Sequence, residues 1–510
     1  MESAMWVMVV TIAFYLSMMI YVGIRCSKKN KTTDDFYLGG RKLGPMVTAM
    51  SAEASDMSAW LLMGLVGTAL MGGLAEATWT AVGLAIGTYL NWLFVAKRLR
   101  RYTEKIGAVT IPEFFSKRFK DKNNVLSLIA AVVIIIFFIP YTASGFSACG
   151  KLFSSMFGMN YMEAMIISAV VIVIYCTLGG FLAASTTDFI QSIVMTFALI
   201  TALGIGEGIL GGFGNVFSNV ASLDGYLDIM KGYDVASGTT GSYGALTVAS
   251  TLAWGLGYFG MPHVLLRFMA IDKPQKLKTS RRIASVWVVI SMSVAVLIGV
   301  VGYGLMTVKN IIPMYENASA AETVLVDIAG FLSTRGYIPA FVGGIFLAGI
   351  LASTMSTADS QLIAASSSVT RDITMNVFKA KLSDKAAMRV ARISVIAIAV
   401  IAVFLARDPG SSVFKIVSFA WAGFGAAFGP VMLLSLFWKR TTKWGALAGM
   451  ITGGAMVFIW KFAIAKLGGL FAIYELLPAF ITALIFIIAV SLLDKKPSQE
   501  IVAEFESINE

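Results

Sequence analysis

The sequence predicts an all-α polytopic membrane protein with about thirteen transmembrane helices, and three observations carry that prediction. First, 57% of the 510 residues are hydrophobic and only 14% are charged, with a mean hydropathy of +0.80; a soluble chain of this size would carry roughly 25% charged residues. Second, apolar runs long enough to cross a ~30 Å hydrocarbon core recur from end to end. Third, Lys and Arg cluster in short loops that all fall on one side of the span count, as retention of positive charge on the cytoplasmic side requires. The formal charge of +11 therefore reads as loop topology and not as a nucleic-acid surface.

Span 1 covers residues 4–23, and Arg25, Lys28, Lys29, Lys31, Arg41 and Lys42 follow it. That loop belongs inside, which puts the N-terminus outside. The run has no small-residue cleavage site before its basic flank, so it reads as an anchor. Span 2, 44–71, contains the most polar stretch found inside an apolar run. Span 3, 81–96, ends in Lys97, Arg98, Arg100 and Arg101, and the loop after it, with Pro112 and Phe114-Phe115, predicts a short interfacial helix. Span 4, 125–149, carries Pro140-Tyr141-Thr142 in its outer half. Span 5, 164–182, ends at a tight turn, Gly179-Gly180, and span 6, 190–210, opens at Asp188. After a loop bearing Gly, Ser and Asp, span 7 (245–269) is interrupted by Gly255, Gly257, Gly260 and Pro262 and ends at Arg267, with Lys273, Lys276, Lys278, Arg281 and Arg282 in the next, inner loop. Span 8 (283–306), the long hydroxyl-rich span 9 (338–368), span 10 (393–405) and span 11 (417–437) come next. Spans 12 and 13 close a single transmembrane domain, residues 1–496, before a short polar cytoplasmic tail, 497–510.

With span 1 peripheral, spans 2–6 and 7–11 form two sets of five with opposite orientation, 44–212 and 241–438. The first helix of each set is the interrupted one. Interrupted helices at matching places in two inverted halves are the sequence mark of a midplane site in a transporter, because unwound backbone frees carbonyls for a cation and N–H groups for a carboxylate.

The polar stretch in span 2 is Ser51-Ala52-Glu53-Ala54-Ser55-Asp56-Met57-Ser58. A carboxylate and several hydroxyls at membrane depth cost several kcal/mol unless something offsets them. Span 9 offers Ser353, Ser356, Thr357 and Ser360 at i, i+3, i+4 and i+7, one helical face. Alone, such a stripe reads as hydroxyls bonding the carbonyl one turn back and letting helices approach. An acid on a second, broken helix turns the reading toward a hard cation that takes several oxygens. For Asp56 the alternative is a structural acid paired with a buried Arg or a helix N-terminus. Glu53 reads as facing a water-filled vestibule or pairing with Lys or Arg; for Asp188 and Asp359, near cytoplasmic ends, gate pairing with Arg41 or a loop Lys weighs equally with ligation. Glu207 has no role readable from its neighbours. Trp254, Tyr258 and Pro262 stand at i, i+4 and i+8 on span 7, and Tyr141 adds another ring with a polar handle. Such rings suit a small, partly apolar solute, with interfacial belt aromatics as the alternative for Trp254 and Tyr258. Cys26, Cys149, Cys176 and the single His263 give no disulfide framework and no zinc or haem spacing. No nucleophile–base pair or metal motif lies in the spans, so neither an enzyme nor a bound cofactor is expected.

The chain resembles the sodium:solute symporters, and within them the bacterial sodium/proline symporters. The likeness runs through Asp35-Phe36-Tyr37-Leu38-Gly39-Gly40-Arg41, Ala54-Ser55-Asp56-Met57-Ser58, Trp60-Leu61-Leu62-Met63-Gly64, Gly179-Gly180-Phe181-Leu182-Ala183, Trp254-Gly255-Leu256-Gly257-Tyr258-Phe259-Gly260, Pro262-His263, Met355-Ser356-Thr357 and Ala420-Trp421-Ala422-Gly423-Phe424-Gly425. The resemblance implies a leucine-transporter type of fold with two inverted five-helix repeats, working by alternating access. It implies a sodium site of the Ala54 and Met57 carbonyls with Ser353, Ser356 and Thr357, with Asp56 as the acid needed for sodium use. It also implies L-proline held by Tyr141, Trp254, Tyr258 and Pro262 near Ser58, with Arg41 and Asp188 as gating or structural residues. Three positions depart from the proline-symporter pattern: Gly is usual at Glu53, Ala is usual at Ser353, and Glu207 has no counterpart. The partners implied are L-proline, Na+ and the lipid bilayer of the plasma (inner) membrane, with no nucleic acid and no obligatory protein partner. The alternatives are another solute of the same family, such as pantothenate or a different amino acid, and a transporter-like membrane sensor, for which the tail is too short.

Overall fold

Lipid offers no partner to backbone N–H and C=O groups, so apolar runs of this length are helical throughout. The computed structural model describes residues 4–27 and 33–508; Lys28, Lys29 and Lys31, assigned above to the first inner loop, lie outside them. Among the described residues ten helices are long and apolar enough to cross a membrane, and eleven if the pair Pro45–Asp56 (α2) and Trp60–Gly72 (α3), bent by 59°, counts as one span. The other two expected spans coincide with Tyr161–Thr177, which is short, and with the segment from Ala245 to Ala270, which is broken. The thirteen-span expectation is thus not met by length and apolarity alone.

The elements that position the site are α2 and α3; α4, Leu74–Lys105; α5, Ile111–Arg118; α6, Val125–Phe157; and α7, Gly180–Leu210. A β-hairpin follows, Lys231–Asp234 (β1) against Thr239–Ser242 (β2) in register Lys231↔Ser242. Next come α8, Ala245–Leu252, a 3-10 stretch, Ala253–Gly260, and α9, Pro262–Ala270. Beyond them are α10, Pro274–Thr307; α11, Val324–Ser333; α12, Tyr337–Val377; and α13, Val413–Phe437. The last two are the most enclosed, with 72% and 78% of their apolar windows buried. Met5–Cys26 (α1), Lys443–Leu467 and Leu476–Leu493 bury a third or less and turn most of their surface outward. Polar side chains are therefore affordable on α12 and not on those outer helices.

Three elements were not legible beforehand: the hairpin, α11, and a C-terminal helix, Gln499–Glu506 (α14). The tail, expected to be merely polar, docks on the basic loops. Glu504 meets Lys120 at 2.6 Å, Glu506 meets Lys439 at 2.9 Å, and Phe505 is buried with the Arg118 guanidinium 5.1 Å from its ring. The loop helix expected near Phe114 is α5. Its start is a reciprocal cap, in which Thr110 Oγ1 accepts from the Glu113 N–H (3.1 Å) and Glu113 Oε2 accepts from the Val109 N–H (2.9 Å).

Candidate functional site

The first break follows directly from Asp56. Helix α2 ends there, Met57 leaves helical geometry (ψ 68°), the Ser58 N–H folds back to the Asp56 carbonyl at 2.8 Å, and the chain resumes through a π-helical turn, Trp60–Gly64. A break strips carbonyls of their helical donors, and buried carbonyls need replacements. Two arrive at Asp56 O, the Trp60 indole N–H and the Tyr141 hydroxyl, each at 3.2 Å. Another arrives from α12, where the Ser356 hydroxyl donates to the carbonyl of Ala54 at 2.7 Å.

The second break comes from close approach. Gly255 packs on α4 so tightly that a Cβ there would lie 2.2 Å from the Gly83 carbonyl oxygen. A Cβ on Gly257 would meet the Trp421 indole nitrogen at 1.9 Å, and that nitrogen donates to the Trp254 carbonyl at 2.7 Å. The segment tightens into a 3-10 stretch, Met261 is extended, and Pro262, which has no N–H to lose, heads α9. This geometry sets the Tyr258 hydroxyl 2.5 Å from Asp56 Oδ2.

The two breaks face each other, and aromatic rings surround them. The Trp254 ring lies 6.1 Å from Trp60, 5.3 Å from Phe414, 6.3 Å from Trp421 and 5.1 Å from Tyr474, while Tyr258 stands edge-on to Trp421 at 5.0 Å. On the hairpin side, two adjoining cavities of 560 and 710 Å³ are both bordered by Glu76, Phe414, Lys415 and Ser418, and the second reaches Trp254 and Tyr474. The side carrying the basic loops is closed. There Asp188 Oδ2 accepts from Ser51 Oγ (2.6 Å) and Arg267 Nη2 (3.0 Å), Arg267 Nε donates to Ser51 Oγ (3.0 Å), and Arg267 Nη2 donates to Ser360 Oγ (2.5 Å). One buried network thus ties α2, α7, α9 and α12. Arg41 caps the end of α9 through the Met269 carbonyl (2.7 Å) and also donates to the Ala108 carbonyl (2.7 Å).

The structure brings together Ala54, Asp56, Ser356, Tyr141, Tyr258 and Trp60, and places Ser58 in the same break, where its Oγ accepts from the Trp60 N–H at 3.4 Å. Ser353 and Thr357 share the α12 face but bond their own helix, at the Ile350 carbonyl (2.8 Å) and the Ser353 carbonyl (3.1 Å). Two expectations need correcting. The gate partner of Asp188 is neither Arg41 nor a loop Lys but Arg267, because α9 carries that side chain into the core beside Ser51. Among the described residues Glu53 pairs with no Lys or Arg; its Oε1 accepts from the Trp92 indole at 2.9 Å. Trp60, Trp92, Phe414, Trp421 and Tyr474 were missed as site residues. Trp60 and Trp421 stood in the motifs that carried the resemblance, but nothing in their spacing marked them as lining a break.

A description of the sodium:solute symporter family matches residues 36–453. The chain belongs to the sodium:solute symporter family. It is a sodium-coupled transporter and not an enzyme. The chain is 42% identical to the high-affinity proline transporter PutP of Bacillus subtilis (96% of this chain, 98% of the relative). It is 40% identical to that organism's osmoregulated proline transporter OpuE (96% of each) and 41% identical to the sodium/proline symporter of Escherichia coli (98% and 95%). Among solved structures, a Na+-coupled sialic acid symporter in a substrate-bound outward-open state matches with a TM-score of 0.78 at 19% identity, over 97% of this chain and 99% of that one. A nucleobase-cation-symport-1 family transporter, Mhp1, matches at 0.52 and 13% identity, over 94% and 99%. These structural likenesses show the fold, which is of the leucine-transporter type.

Proposed function

We propose that this symporter imports L-proline with sodium by alternating access across the plasma (inner) membrane, its N-terminus outside and its C-terminal tail in the cytoplasm. The observation that carries the reading is the 2.7 Å bond from Ser356 Oγ to the Ala54 carbonyl, which joins a broken helix to a hydroxyl stripe at the place where a hard cation finds oxygens from both. Sodium would be held by the Ala54 and Met57 carbonyls with Ser356, Ser353 and Thr357, the last two turning from their intrahelical bonds; Asp56 supplies negative charge from the same turn. The relatives at about 40% identity named as proline transporters support the solute. Its pyrrolidine ring would pack against Tyr141, Trp254 and Tyr258 beside Pro262, and its carboxylate would meet N–H groups exposed near Ser58. Residues 44–212 and 241–438 act as the two inverted repeats. The cavities on the hairpin side would be the entry path, and the Ser51–Asp188–Arg267–Ser360 network, with Arg41, the closed inner gate. Sodium favours the outward-open form by joining α2 to α12, and linkage then raises solute affinity. No obligatory protein partner enters this reading.

The test is labelled proline uptake into proteoliposomes under imposed sodium, potassium and proton gradients, with unlabelled competitors that include pantothenate and other amino acids. Sodium alone should drive concentrative uptake, and proline should compete best. Uptake indifferent to the cation would contradict the coupling, and stronger competition by another solute would reassign the substrate.

A further inference from the structure

Glu53 and Asp56 stand one turn apart on α2, on a face turned away from the Ala54–Ser356 contact. Both are buried, 1% and 0% exposed. Each has one oxygen engaged, Glu53 Oε1 by the Trp92 indole at 2.9 Å and Asp56 Oδ2 by the Tyr258 hydroxyl at 2.5 Å. Among the described residues Glu53 Oε2 and Asp56 Oδ1 have no protein partner, and neither carboxylate forms an ion pair with Lys or Arg. Asp188, in the same core, also keeps Oδ1 open but differs in having the Arg267 guanidinium on its other oxygen.

Helix α4 supplies a second, independent set of oxygens to this seam. Thr88, Asn91 and Trp92 lie at i, i+3 and i+4, on one face, where a π-helical turn, Asn91–Val95, distorts the span. Trp92 holds Glu53. Asn91 Nδ2 donates to the Tyr258 carbonyl at 2.9 Å, and the Thr88 hydroxyl stands beside that of Tyr258. Thr88 and Asn91 are fully buried; among the described residues Asn91 Oδ1 is likewise without a partner, while the Thr88 hydroxyl has that of Tyr258. Three open oxygens, two of them from carboxylates, and the Thr88 hydroxyl thus lie along one seam where α2, α4 and Tyr258 meet. Buried polar oxygens left open in this way are costly and rare, and a hard cation satisfies all of them together.

We infer that Glu53, Asp56, Thr88 and Asn91 form a second sodium site, separate from the one between Ala54 and Ser356. The inference deepens the transport reading above and rests on it. Two sodium ions then stand against two buried carboxylates, so α2 carries no net charge through the cycle. The site also pins α2 to α4 and Tyr258, as the first ion joins α2 to α12.

The decisive experiment counts labelled sodium bound at saturation by the purified full-length chain, in a scintillation proximity assay that needs no solute. The inference predicts two ions in the intact protein, one in Glu53→Gln and two in Ser356→Ala, where the ion between α2 and α12 is weakened about tenfold. Thr88→Val, which keeps both carboxylates, should retain two ions with one of them weakened about tenfold. One ion in the intact protein would overturn the second site and leave the transport reading standing, and this outcome does not depend on any variant folding. Two ions persisting in Glu53→Gln would overturn the assignment to these residues. No saturable sodium binding at all would remove both readings.

Discussion

Two buried carboxylates, Glu322 and Asp56, show how differently the molecule treats a charge. Glu322, at 1% exposure, is answered on every side. Lys151 lies at 2.6 Å, Ser412 Oγ donates at 2.8 Å, and the N–H groups of Val413 and Phe414 donate at 3.1 and 3.2 Å. It sits at the N-terminus of α13, where a helix favours negative charge, and its ammonium partner is itself fastened to Ser319. Asp56 receives one hydroxyl, from Tyr258, and keeps an oxygen open. A satisfied charge fastens three elements permanently. An unsatisfied one in the middle of a membrane protein is a place for something that comes and goes.

Four experiments press on that contrast, beginning with the largest effect. Glu322→Gln strands the Lys151 ammonium, and removing one partner of a buried pair costs about 3–5 kcal/mol. The thermal midpoint of the purified protein should fall sharply while the folded fraction keeps its sodium affinity; a shift in sodium affinity would erase the distinction between the two carboxylates. Asp56→Asn should do the reverse, raising the half-saturating sodium concentration for uptake about 100-fold with no loss in thermal midpoint and with normal membrane insertion. Normal sodium-dependent uptake in that variant would reject the role given to Asp56. Ser356→Ala should weaken sodium about tenfold. Ser353→Ala should change it less than about twofold, because that hydroxyl already bonds the Ile350 carbonyl. Equal losses in the two variants would argue that the whole stripe ligates.

The smallest effect concerns a third carboxylate, in the loop helix α5. Burial pushes the Glu113 carboxyl up, but Arg371, Lys117 and the Val109 N–H together outweigh burial and hold it below the ordinary carboxylate range. A lowered folded value means that its contribution to stability is complete above the unfolded value of about 4.3 and is lost as pH falls through the folded one. The thermal midpoint of the intact protein should therefore decline in that acid window, and Glu113→Gln should flatten the decline. An unchanged acid limb in the variant would show that Glu113 contributes nothing there.

Much of this was legible in the residues because lipid makes polarity informative. Asp56 and the glycines of 255–260 could be picked out at once, since an apolar run has no ordinary use for them, and the hydroxyl stripe on α12 followed from helical spacing alone. What could not be read was which face met which neighbour. The spacing put Ser353, Ser356 and Thr357 on one face, yet only Ser356 reaches across to α2. Arg267 reads in sequence only as the end of an apolar run, but α9 turns it inward to Asp188. Trp60, Trp92 and Trp421 are indistinguishable in sequence from lipid-facing tryptophans; their place in the site comes from the Asp56 carbonyl, from Glu53 and from the close packing at Gly257 respectively. The docked helix α14 was hidden for a related reason: its anchor is a single Phe505 among charges that read as a solvated tail.

The central claim is that a sodium ion shared by α2 and α12 prepares the solute site, and thermodynamic reciprocity tests it most directly. Proline affinity of the purified protein should be measured across a sodium titration, and sodium affinity across a proline titration. The account predicts that each ligand tightens the other by the same factor, and that Ser356→Ala shrinks both factors together. Proline binding of equal strength with and without sodium would contradict it.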